Sequence, residues 1–456
     1  MPPFAMAGNL DVTADDFDDA GAGVGDGAGG RVHVEDLLPG ERARVAIDHR
    51  SPHTGEAWGR VRERLGPPSP DRVAPPCPAW GRCGGCAWQH LAYPAQLAFK
   101  RRAVERAVAG LPVTVAPVVQ APALIGYRNK GKYVVGEVGG AVVLGAWAPR
   151  AHRLVDTAGC QVVMPVIDAL RGRIVAAATA AGLVPYDERL RTGALRYAIV
   201  RVARDGRALV VLVVRSSAAE DVVMAVARAV ATDPRVAGVV RVDNDRADGG
   251  LLDDAGRPLV GADHIGDVVA GVTVALGAVE FAQVNPVQAD ALYARVAALA
   301  GVGPGDRAVD VYAGVGGFGF ALARAGATVV AIEREPAAVA ALAAAAATAG
   351  LGARLEARVG DAATLAELPG PLAAIVIDPP RKGCSPAVLA ALNAAPAARL
   401  VYVSCGPTSL GRDLRALVAG GWQLEAIEPF DLMPGTAQVE VVATLRRKEA
   451  PAPAPG

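Results

Sequence analysis

A cysteine that directly follows an apolar, strand-like run is the residue of this sequence best suited to covalent chemistry. Cys405 follows Arg399–Ser404 and precedes a Gly-Pro pair. A thiol at the carboxyl end of a parallel strand faces a ligand crevice, and sulfur is a soft nucleophile that adds to electron-poor ring carbons. Glu440, 35 residues later, is a candidate for removing a ring proton. Together these groups could substitute carbon 5 of a uracil, although Cys405 alone would fit a core thiol and Glu440 alone an edge-strand charge.

The elements that position these residues follow from the hydrophobic pattern. From about residue 270 the chain alternates apolar runs with helical stretches, which predicts an α/β fold with a parallel, doubly wound sheet. The sequence Asp378-Pro-Pro-Arg ends one predicted strand, much as Cys405 ends another. The predicted strands are Ala308–Tyr312, Thr328–Glu333, Ala373–Asp378, Arg399–Ser404 and Gln438–Leu445.

A glycine-rich loop follows the first of these strands. Gly314, Gly316 and Gly319 match the pattern G-x-G-x-x-G, and Glu333 ends the next strand, 23 residues after Asp310. Glycines permit close backbone approach, and an acid accepts hydrogen bonds from ribose hydroxyls, which S-adenosylmethionine and NAD both carry. The context favours the methyl donor, because a dinucleotide site gives no reason for the cysteine and aspartate motifs at two further strand ends.

Four further cysteines form a separate motif. Cys77, Cys83 and Cys86 have the spacing C-x5-C-x2-C, and Cys160 follows 74 residues after the third. Thiolates are soft ligands for iron–sulfur clusters or zinc. Three clustered cysteines and one remote cysteine suit a cubane cluster better than a zinc ribbon, which supplies two close pairs. Four unligated thiols remain the alternative, and Cys384, without a companion, indicates packing.

Composition limits the classes of partner. The chain has 46 basic and 46 acidic residues, so any nucleic-acid site must be a local patch. Arg60 to Lys132 holds twelve basic residues against three acidic ones, which fits a phosphate-binding surface or an ordinary solvated face about equally. No signal peptide or membrane span is recognisable. We therefore expect a cytoplasmic protein.

Composition also divides the chain into segments. Residues 1–30 contain six aspartates and no basic residue, which predicts a disordered acidic tail. Residues 31–67 alternate apolar and polar positions around a Pro-Gly turn, as in a small β-barrel. Residues 68–265 mix strands and helices and would form a central domain. Residues 266–447 would be the domain of regular βα alternation, and residues 448–456 a second disordered tail.

Taken together, the motifs resemble those of RNA uracil-C5 methyltransferases that use S-adenosylmethionine, and they are most similar to the branch acting on 23S ribosomal RNA. The resemblance covers residues 31–446. It implies a class I, Rossmann-like methyltransferase domain, a central α+β domain with a 4Fe–4S cluster, and an N-terminal OB-like β-barrel known as a TRAM domain. The matching pieces are the cysteine motif, Tyr127–Lys130, Phe281–Asn285, Tyr312–Gly319, Asp378–Arg381, Ser404–Thr408 and Val439-Glu440.

The resemblance also implies roles for individual residues. Cys405 would be the nucleophile and Glu440 the general base, with the target nucleotide against Phe281 and Asp378. The cluster ligands would be Cys77, Cys83, Cys86 and Cys160. The methyl donor would be contacted by Gln283, Tyr312, Gly314, Gly316, Glu333, Asp361 and Asp378. Family members often carry histidine before the final glutamate and asparagine at the positions of Gly317 or Gly406, and this chain does not.

The predicted reaction is methylation of carbon 5 of a 23S rRNA uridine through a covalent bond between Cys405 and uracil carbon 6. The same chemistry on a tRNA T-loop uridine is an alternative, which the cysteine motif disfavours because the tRNA branch typically lacks one. A non-catalytic RNA-binding or RNA-remodelling protein is the third. We expect RNA as the partner, neither DNA nor membrane, and a monomer.

Overall fold

The computed structural model of the chain describes residues 9–27, 29–246, 250, 252 and 255–448. Residues 1–8 and 449–456, on which parts of the two predicted tails fall, lie outside the described residues. No helix in the described ranges combines the length and apolar character needed to cross a bilayer. The described residues divide into two compact units. The first comprises the residues up to Lys100, Gly145–Gln161 and Met433–Gln438, and the second comprises Arg101–Leu144, Val162–Leu432 and the residues from Val439 onward.

Alternating apolar residues build a six-stranded sheet in the first unit. The side chains of Val12, Val32, Val34 and Val45 are fully buried in its core. The strand order is β1-β5-β6-β4-β3-β2, and β4 pairs with β6 in parallel while the other pairs are antiparallel. The bounds are β1 Asn9–Thr13, β2 Asp16–Phe17, β3 Gly23–Gly27, β4 Gly30–Glu35, β5 Arg42–Arg50 and β6 Ala57–Arg64.

The prediction of a disordered acidic tail over residues 1–30 is wrong for residues 9–27 and 29–30, which lie in this sheet. Its aspartates have basic partners on neighbouring strands. Arg31 lies 2.5 Å from Asp15, for example. Charge counted along the sequence misses such partners, because sheet pairing brings them in from beyond the acidic segment.

Between residues 93 and 276 the chain mixes strands with helices, as predicted. The strands β13-β12-β11-β10-β7 lie side by side in one sheet, and β11 is buried along its whole length. The elements are α1 Tyr93–Ala107, β7 Lys130–Val138, β8 Ala141–Trp147, β9 Leu154–Asp156, α2 Pro165–Ala181, β10 Leu195–Val202, β11 Ala208–Val214, α3 Glu220–Ala231, β12 Val236–Asp243, β13 Arg257–Gly261, β14 Ile265–Val269 and β15 Val272–Leu276.

The remaining residues form the predicted doubly wound α/β sheet. Its order is β18-β17-β16-β19-β20-β22-β21. The first five strands are parallel, and β22 runs antiparallel to both of its neighbours. The elements are α4 Pro286–Ala300, β16 Arg307–Val311, α5 Gly317–Arg324, β17 Thr328–Glu333, α6 Pro336–Thr348, β18 Leu355–Val359, a 3-10 helix Ala362–Glu367, β19 Leu372–Ile377, α7 Pro386–Ala394, β20 Ala397–Ser404, α8 Pro407–Ala419, β21 Trp422–Phe430 and β22 Glu440–Arg447.

The chain order reverses between β16 and β19, which are adjacent in space. In open α/β sheets ligands bind beside such a reversal, outside the carboxyl ends of the strands. The loops that follow β16, β17, β19 and β20 therefore mark the edge of the sheet where a site is expected.

Candidate active site

The antiparallel ladder between β20 and β22 ends one step before Cys405 and Glu440. Its pairs run from Arg399 with Arg446 to Ser404 with Val441 without a shift. One more step in the same register would pair Cys405 with Glu440, and the two groups are close enough for the charge of Glu440 to act on the thiol. Residues directly opposite in a ladder point to the same face, so the thiol and the carboxylate project to one side of the sheet.

Glu440 is a buried carboxyl group with an unused acceptor. The residue is 7% exposed. Its Oε1 atom has no hydrogen-bond partner among the described residues. Burial, reinforced by the nearby carboxylate of Asp378, raises the pKa of Glu440 well above its usual range. Burial likewise raises the pKa of Asp378. The two groups form a pair of carboxyls that hold protons more strongly than exposed ones.

Cys405 is half-buried and lies in the field of both carboxyls. Burial raises the pKa of its thiol to about 11, with Glu440 and Asp378 adding to the effect and Arg381 opposing it. In the free protein the thiol is therefore protonated at neutral pH. A base beside it is needed to make it a nucleophile.

The loop after β19, which carries Arg381, lies directly against the turn that carries Cys405. A Cβ atom added to Gly406 would come 2.6 Å from the carbonyl oxygen of Arg381, so glycine is required for the two segments to approach this closely. The hydroxyl of Ser409 donates to the same carbonyl at 2.8 Å. These contacts fix Arg381 relative to the thiol.

Asp413 of α8 anchors the other end of that loop. Its carboxylate is fully buried and accepts hydrogen bonds from the Tyr402 hydroxyl at 2.7 Å and from the backbone N–H of Cys384 at 2.8 Å. Arg412 lies 2.7 Å from the same carboxylate. Side chains along a strand point alternately to its two faces, so Tyr402 and Cys405 lie on opposite faces. The face that carries Tyr402 holds the loop in place, and the other face carries the predicted nucleophile.

The glycine loop after β16 is organised by two carboxylates. The backbone N–H of Gly319 donates to Asp310 Oδ2 at 2.7 Å, and that of Gly314 donates to Glu333 Oε2 at 3.0 Å. Burial raises the pKa of Asp310 to about 8. The space where a Cβ of Gly314 would lie is open, whereas a Cβ at Gly316 would meet Leu342 at 2.8 Å. The loop thus leaves room for a ligand on one side and packs tightly on the other.

The residues predicted to contact the methyl donor gather along one edge of the sheet. Tyr312, Glu333, Asp361 and Asp378 follow or end the neighbouring strands β16, β17, β18 and β19. Tyr312 adopts a φ of 63°, a left-handed conformation that is uncommon for a residue with a side chain, and its ring is half-buried. Such a strained residue between a strand and a glycine loop is typical of a ligand site.

Gln283 and Phe281 lie in the segment before α4. Gln283 is half-buried, and Phe281 is 65% exposed. The segment is held by a hydrogen bond from the N–H of Asn129 to the carbonyl of Val284 at 2.9 Å and by Asn285, whose Nδ2 donates to the carbonyl of Leu432 at 3.0 Å. An aromatic ring held in solvent by an anchored loop is suited to stacking against a base.

The four cysteines of the predicted cluster lie in the first unit. All four are free thiols and half-buried. Burial raises the pKa of Cys86 to about 12, and Cys160, Cys83 and Cys77 add to the effect, so the four thiols lie in one neighbourhood. Within the described ranges, no group of three or more histidine, cysteine, aspartate or glutamate side chains is arranged to hold a metal ion. The donor chemistry fits a cluster, but the side chains are not in ligating geometry.

Two groups near Glu440 were missed by the sequence analysis as site residues. Asp310 and Tyr293, on β16 and α4, are buried, and burial together with the surrounding carboxyls, Asp378 foremost, raises the pKa of Tyr293. An aspartate inside an apolar strand, next to the strand's last residue, is a signal that could have identified Asp310. A tyrosine in an alanine-rich helix gives no such signal, because its position depends on how α4 packs against the sheet.

Comparison with known proteins gives concordant results. A family model described as Conserved hypothetical protein 95 matches residues 277–397. An uncharacterized RNA methyltransferase of Halalkalibacterium halodurans is 32% identical over 448 residues, covering 96% of this chain and 97% of the relative. A second uncharacterized RNA methyltransferase, from Gloeobacter violaceus, is 34% identical over 443 residues, covering 94% of each chain.

A solved structure shares the fold over almost the whole chain. It is the Pyrococcus abyssi tRNA (uracil-54, C5)-methyltransferase in complex with S-adenosyl-L-homocysteine, with a TM-score of 0.75 and 23% sequence identity. The match covers 95% of this chain and 100% of that one. The sheet order described above and this similarity identify the fold as that of class I methyltransferases.

Proposed function

Because the chain belongs to the RNA methyltransferase family, we propose that it transfers a methyl group from S-adenosylmethionine to carbon 5 of a uridine in RNA. The observation that supports the proposal is the position of Cys405 and Glu440 just beyond the last pair of the β20–β22 ladder, where the charge of Glu440 acts on the thiol. A nucleophile and a base on one face, at the edge of the sheet where ligands bind, are the two groups that this substitution requires.

The reaction begins with a uridine turned out of its stack, because its ring carbons are inaccessible in a stacked strand. The Cys405 thiol transfers its proton to the neighbouring carboxylate of Asp378, and its sulfur bonds to carbon 6 of the uracil. The electron pair of the 5,6 double bond is thereby delocalised over carbon 5 and the carbonyl oxygen at carbon 4. Carbon 5 then takes the methyl group of the donor, which leaves as S-adenosylhomocysteine.

Glu440 completes the reaction by removing the proton from carbon 5. The electrons of that C–H bond restore the 5,6 double bond, and the bond between carbon 6 and sulfur breaks to release the Cys405 thiolate. A carboxylate with a raised pKa is a stronger base than an exposed one. Asp378, between the donor-side residues and Cys405, would orient the uracil ring.

The methyl donor would lie along the carboxyl edge of the sheet. Glu333, at the end of β17, would accept hydrogen bonds from ribose hydroxyls. The open space beside Gly314 would allow the ligand to contact the protein backbone there. Tyr312, Asp361 and Gln283 would complete the donor site. Phe281 would stack on the target nucleotide.

The proposed substrate is a uridine of 23S ribosomal RNA, which the cysteine motif supports through the resemblance described above. The test is mass-spectrometric mapping of 5-methyluridine in ribosomal and transfer RNA from a strain that lacks the gene. Loss of one or more sites from 23S rRNA alone is the expected result. Loss confined to tRNA would contradict the assignment and would favour a T-loop uridine instead.

We also propose that Cys77, Cys83, Cys86 and Cys160 hold a 4Fe–4S cluster. When bound, the cluster would pin a segment that has little regular secondary structure, and it has no part in the steps above. Iron and sulfide analysis of protein purified without oxygen checks this. Cys86→Ser should abolish iron binding, whereas Cys384→Ser should preserve it. Equal iron content in both variants would contradict the assignment.

The covalent step is tested with RNA that carries 5-fluorouridine at the target position. Fluorine cannot leave as a proton, so the Cys405 adduct should accumulate and survive denaturing electrophoresis together with the donor-derived methyl group. Cys405→Ala should give no adduct and no methylation, while Cys384→Ala, which removes a buried thiol outside the site, should retain both. Methylation by Cys405→Ala would reject the mechanism.

A further inference from the structure

Two cations face each other on adjacent strands of the second unit. Arg201 near the end of β10 pairs with Lys130 at the start of β7. Residues opposite one another in a ladder project to the same face. Arg201 is 3% exposed and Lys130 is half-buried. Their charges are therefore largely withdrawn from water.

Neither cation has an ion-pair partner among the described residues. Arg201 donates from Nη2 to the backbone carbonyl of Glu280, while its Nε is buried without a partner in that part of the chain. The carboxylate of Asp267 is engaged elsewhere, because it accepts backbone N–H groups of Arg204 at 3.0 Å and Val268 at 2.8 Å. The pair is left with an excess of buried positive charge.

Uncompensated buried charge is unfavourable, and the titration of both groups reflects this. Burial lowers the pKa of Lys130 to about 7, with Arg201 and then Arg128 adding to the effect and Glu280 opposing it. Burial lowers the pKa of Arg201 to about 10, and the charges of Glu280 and Asp267 offset this effect only in part. Burial disfavours the charged forms of Lys130 and Arg201 in the free protein. A bound anion would stabilise those charged forms.

The surroundings show where such an anion would lie. Arg128 comes close to the pair, since its Nε donates to the carbonyl of Lys130 at 2.9 Å. Glu280, whose carbonyl binds Arg201, immediately precedes the exposed ring of Phe281. Three cations therefore adjoin the segment that carries an aromatic ring suited to stacking.

We propose that Lys130, Arg201 and Arg128 bind a phosphate group of the RNA substrate next to the nucleotide that stacks on Phe281. The inference rests on the proposed function for the identity of the ligand. A phosphate supplies the negative charge that these cations lack, and it would fix the strand while the target base is turned toward Cys405.

The anion site is tested first with inorganic phosphate alone. Phosphate should raise the melting temperature of the full chain, and Lys130→Met should remove most of that rise. Without phosphate, Lys130→Met should melt no lower than the wild type, because it deletes an unfavourable charge. The control is Arg228→Gln, which removes one positive charge from an exposed position on α3. An unchanged phosphate response in Lys130→Met would overturn the site.

Binding of a fluorescent single-stranded RNA containing uridine then tests the ligand. Loss of one phosphate contact should weaken binding roughly tenfold and reduce the slope of log Kd against log salt by about 0.7. Lys130→Met should show both effects, Arg128→Gln should show them in the same direction, and Arg228→Gln should show neither. RNA binding in Lys130→Met that equals the wild type would overturn the assignment, even if inorganic phosphate binds.

Failure of the proposed function gives a different pattern. If the wild type binds RNA with the Lys130-dependent salt slope but methylates no uridine, the methyl-transfer proposal is rejected and the phosphate site stands. If the wild type methylates uridine and Lys130→Met binds RNA normally, the phosphate site is rejected and the methyl-transfer proposal stands.

Discussion

The cysteines of this chain occupy two kinds of position. Cys405 follows a strand whose unbroken ladder with β22 determines which residue lies opposite it. Cys83 and Cys160 are held by turns instead, with their N–H groups bonded to the carbonyls of Ala79 and Thr157. A ladder brings a thiol and its reaction partner together without any ligand. Turns bring thiols into one neighbourhood, but a bound group is needed to complete their geometry.

The groups that influence the thiol pKa also differ between the two regions. Burial is the main reason that the pKa is raised for both Cys405 and Cys86. The secondary contribution comes from carboxylates at Cys405 and from other thiols at Cys86. A carboxylate can accept the proton of its neighbour, whereas clustered thiols release their protons to solvent when they bind a metal. We therefore expect proton transfer in the first region and metal ligation in the second.

The largest expected effect comes from Glu440→Gln. Without the base the carbon-5 proton stays, so turnover should fall by about 10³-fold while an RNA-linked, methylated adduct accumulates. The same change removes a negative neighbour and should lower the pKa of Cys405. Alkylation of Cys405 by iodoacetamide at pH 8, followed by peptide mass spectrometry, should therefore be faster than in the wild type.

The control for that experiment is Glu425→Gln, which alters a carboxylate of β21 that pairs with Arg446. Its turnover and its alkylation rate at Cys405 should match the wild type. An unchanged alkylation rate in Glu440→Gln would show that the two groups are not neighbours. A slower rate would show that Glu440 activates the thiol as a base instead of raising its pKa.

The next effect is a dependence on pH. The pKa of Cys405 is raised to about 11, so below that value each added pH unit increases the thiolate fraction about tenfold. Alkylation of Cys405 in the free protein should thus rise about a hundredfold from pH 7 to pH 9. A rate that levels off near pH 8 would mean that the thiol is activated in the free protein.

A smaller effect is expected from Asp413→Asn. The substitution removes the charge that holds the loop after β19 through Tyr402 and Cys384. We expect a loss of about 1–3 kcal/mol in unfolding free energy and roughly tenfold slower methylation, because Arg381 is no longer fixed beside Cys405. Asp205→Asn, an exposed aspartate paired with Arg207, is the matched control. Unchanged kinetics in Asp413→Asn would remove the positioning role.

The smallest effect separates the two regions. Cys86→Ser should abolish iron binding, yet the rate of Cys405 alkylation in the folded protein should change by less than about twofold. A large change in that rate would mean that the cysteines held by turns affect the reactivity of Cys405. The two regions would then not be independent.

Sequence reasoning predicted the strands that are apolar along their length. The run predicted over Thr328–Glu333 coincides with β17, and the other predicted strands of this sheet overlap observed ones. The edge strand β18 was missed because Glu356 and Arg358 interrupt its pattern, and a strand with one neighbour need not be apolar on both faces. The antiparallel course of β21 and β22 was also not predicted, since hydrophobic pattern does not encode direction.

The predicted nucleophile and base are both tied to strand ends, which pattern can locate, and the charge of Glu440 acts on Cys405. Arg201 and Tyr293 were not recognised, because a charge or a ring inside an apolar element has a role only once its cross-strand or cross-layer neighbours are known. The sequence likewise places four cysteines at suggestive spacing, but spacing does not specify the distances between their sulfur atoms.

The ladder between β20 and β22 also bears on how the chain can vary in length. Whether Cys405 and Glu440 lie opposite each other depends on the pairing register of β20 and β22. It does not depend on the number of residues between the two strands. Added residues at the Gly420-Gly421 turn after α8 would leave the two groups facing each other, whereas one residue inserted within β22 would turn the carboxylate to the opposite side. A change in length at that turn should therefore preserve the opposition of the two groups, whereas the final strand must keep its residue count.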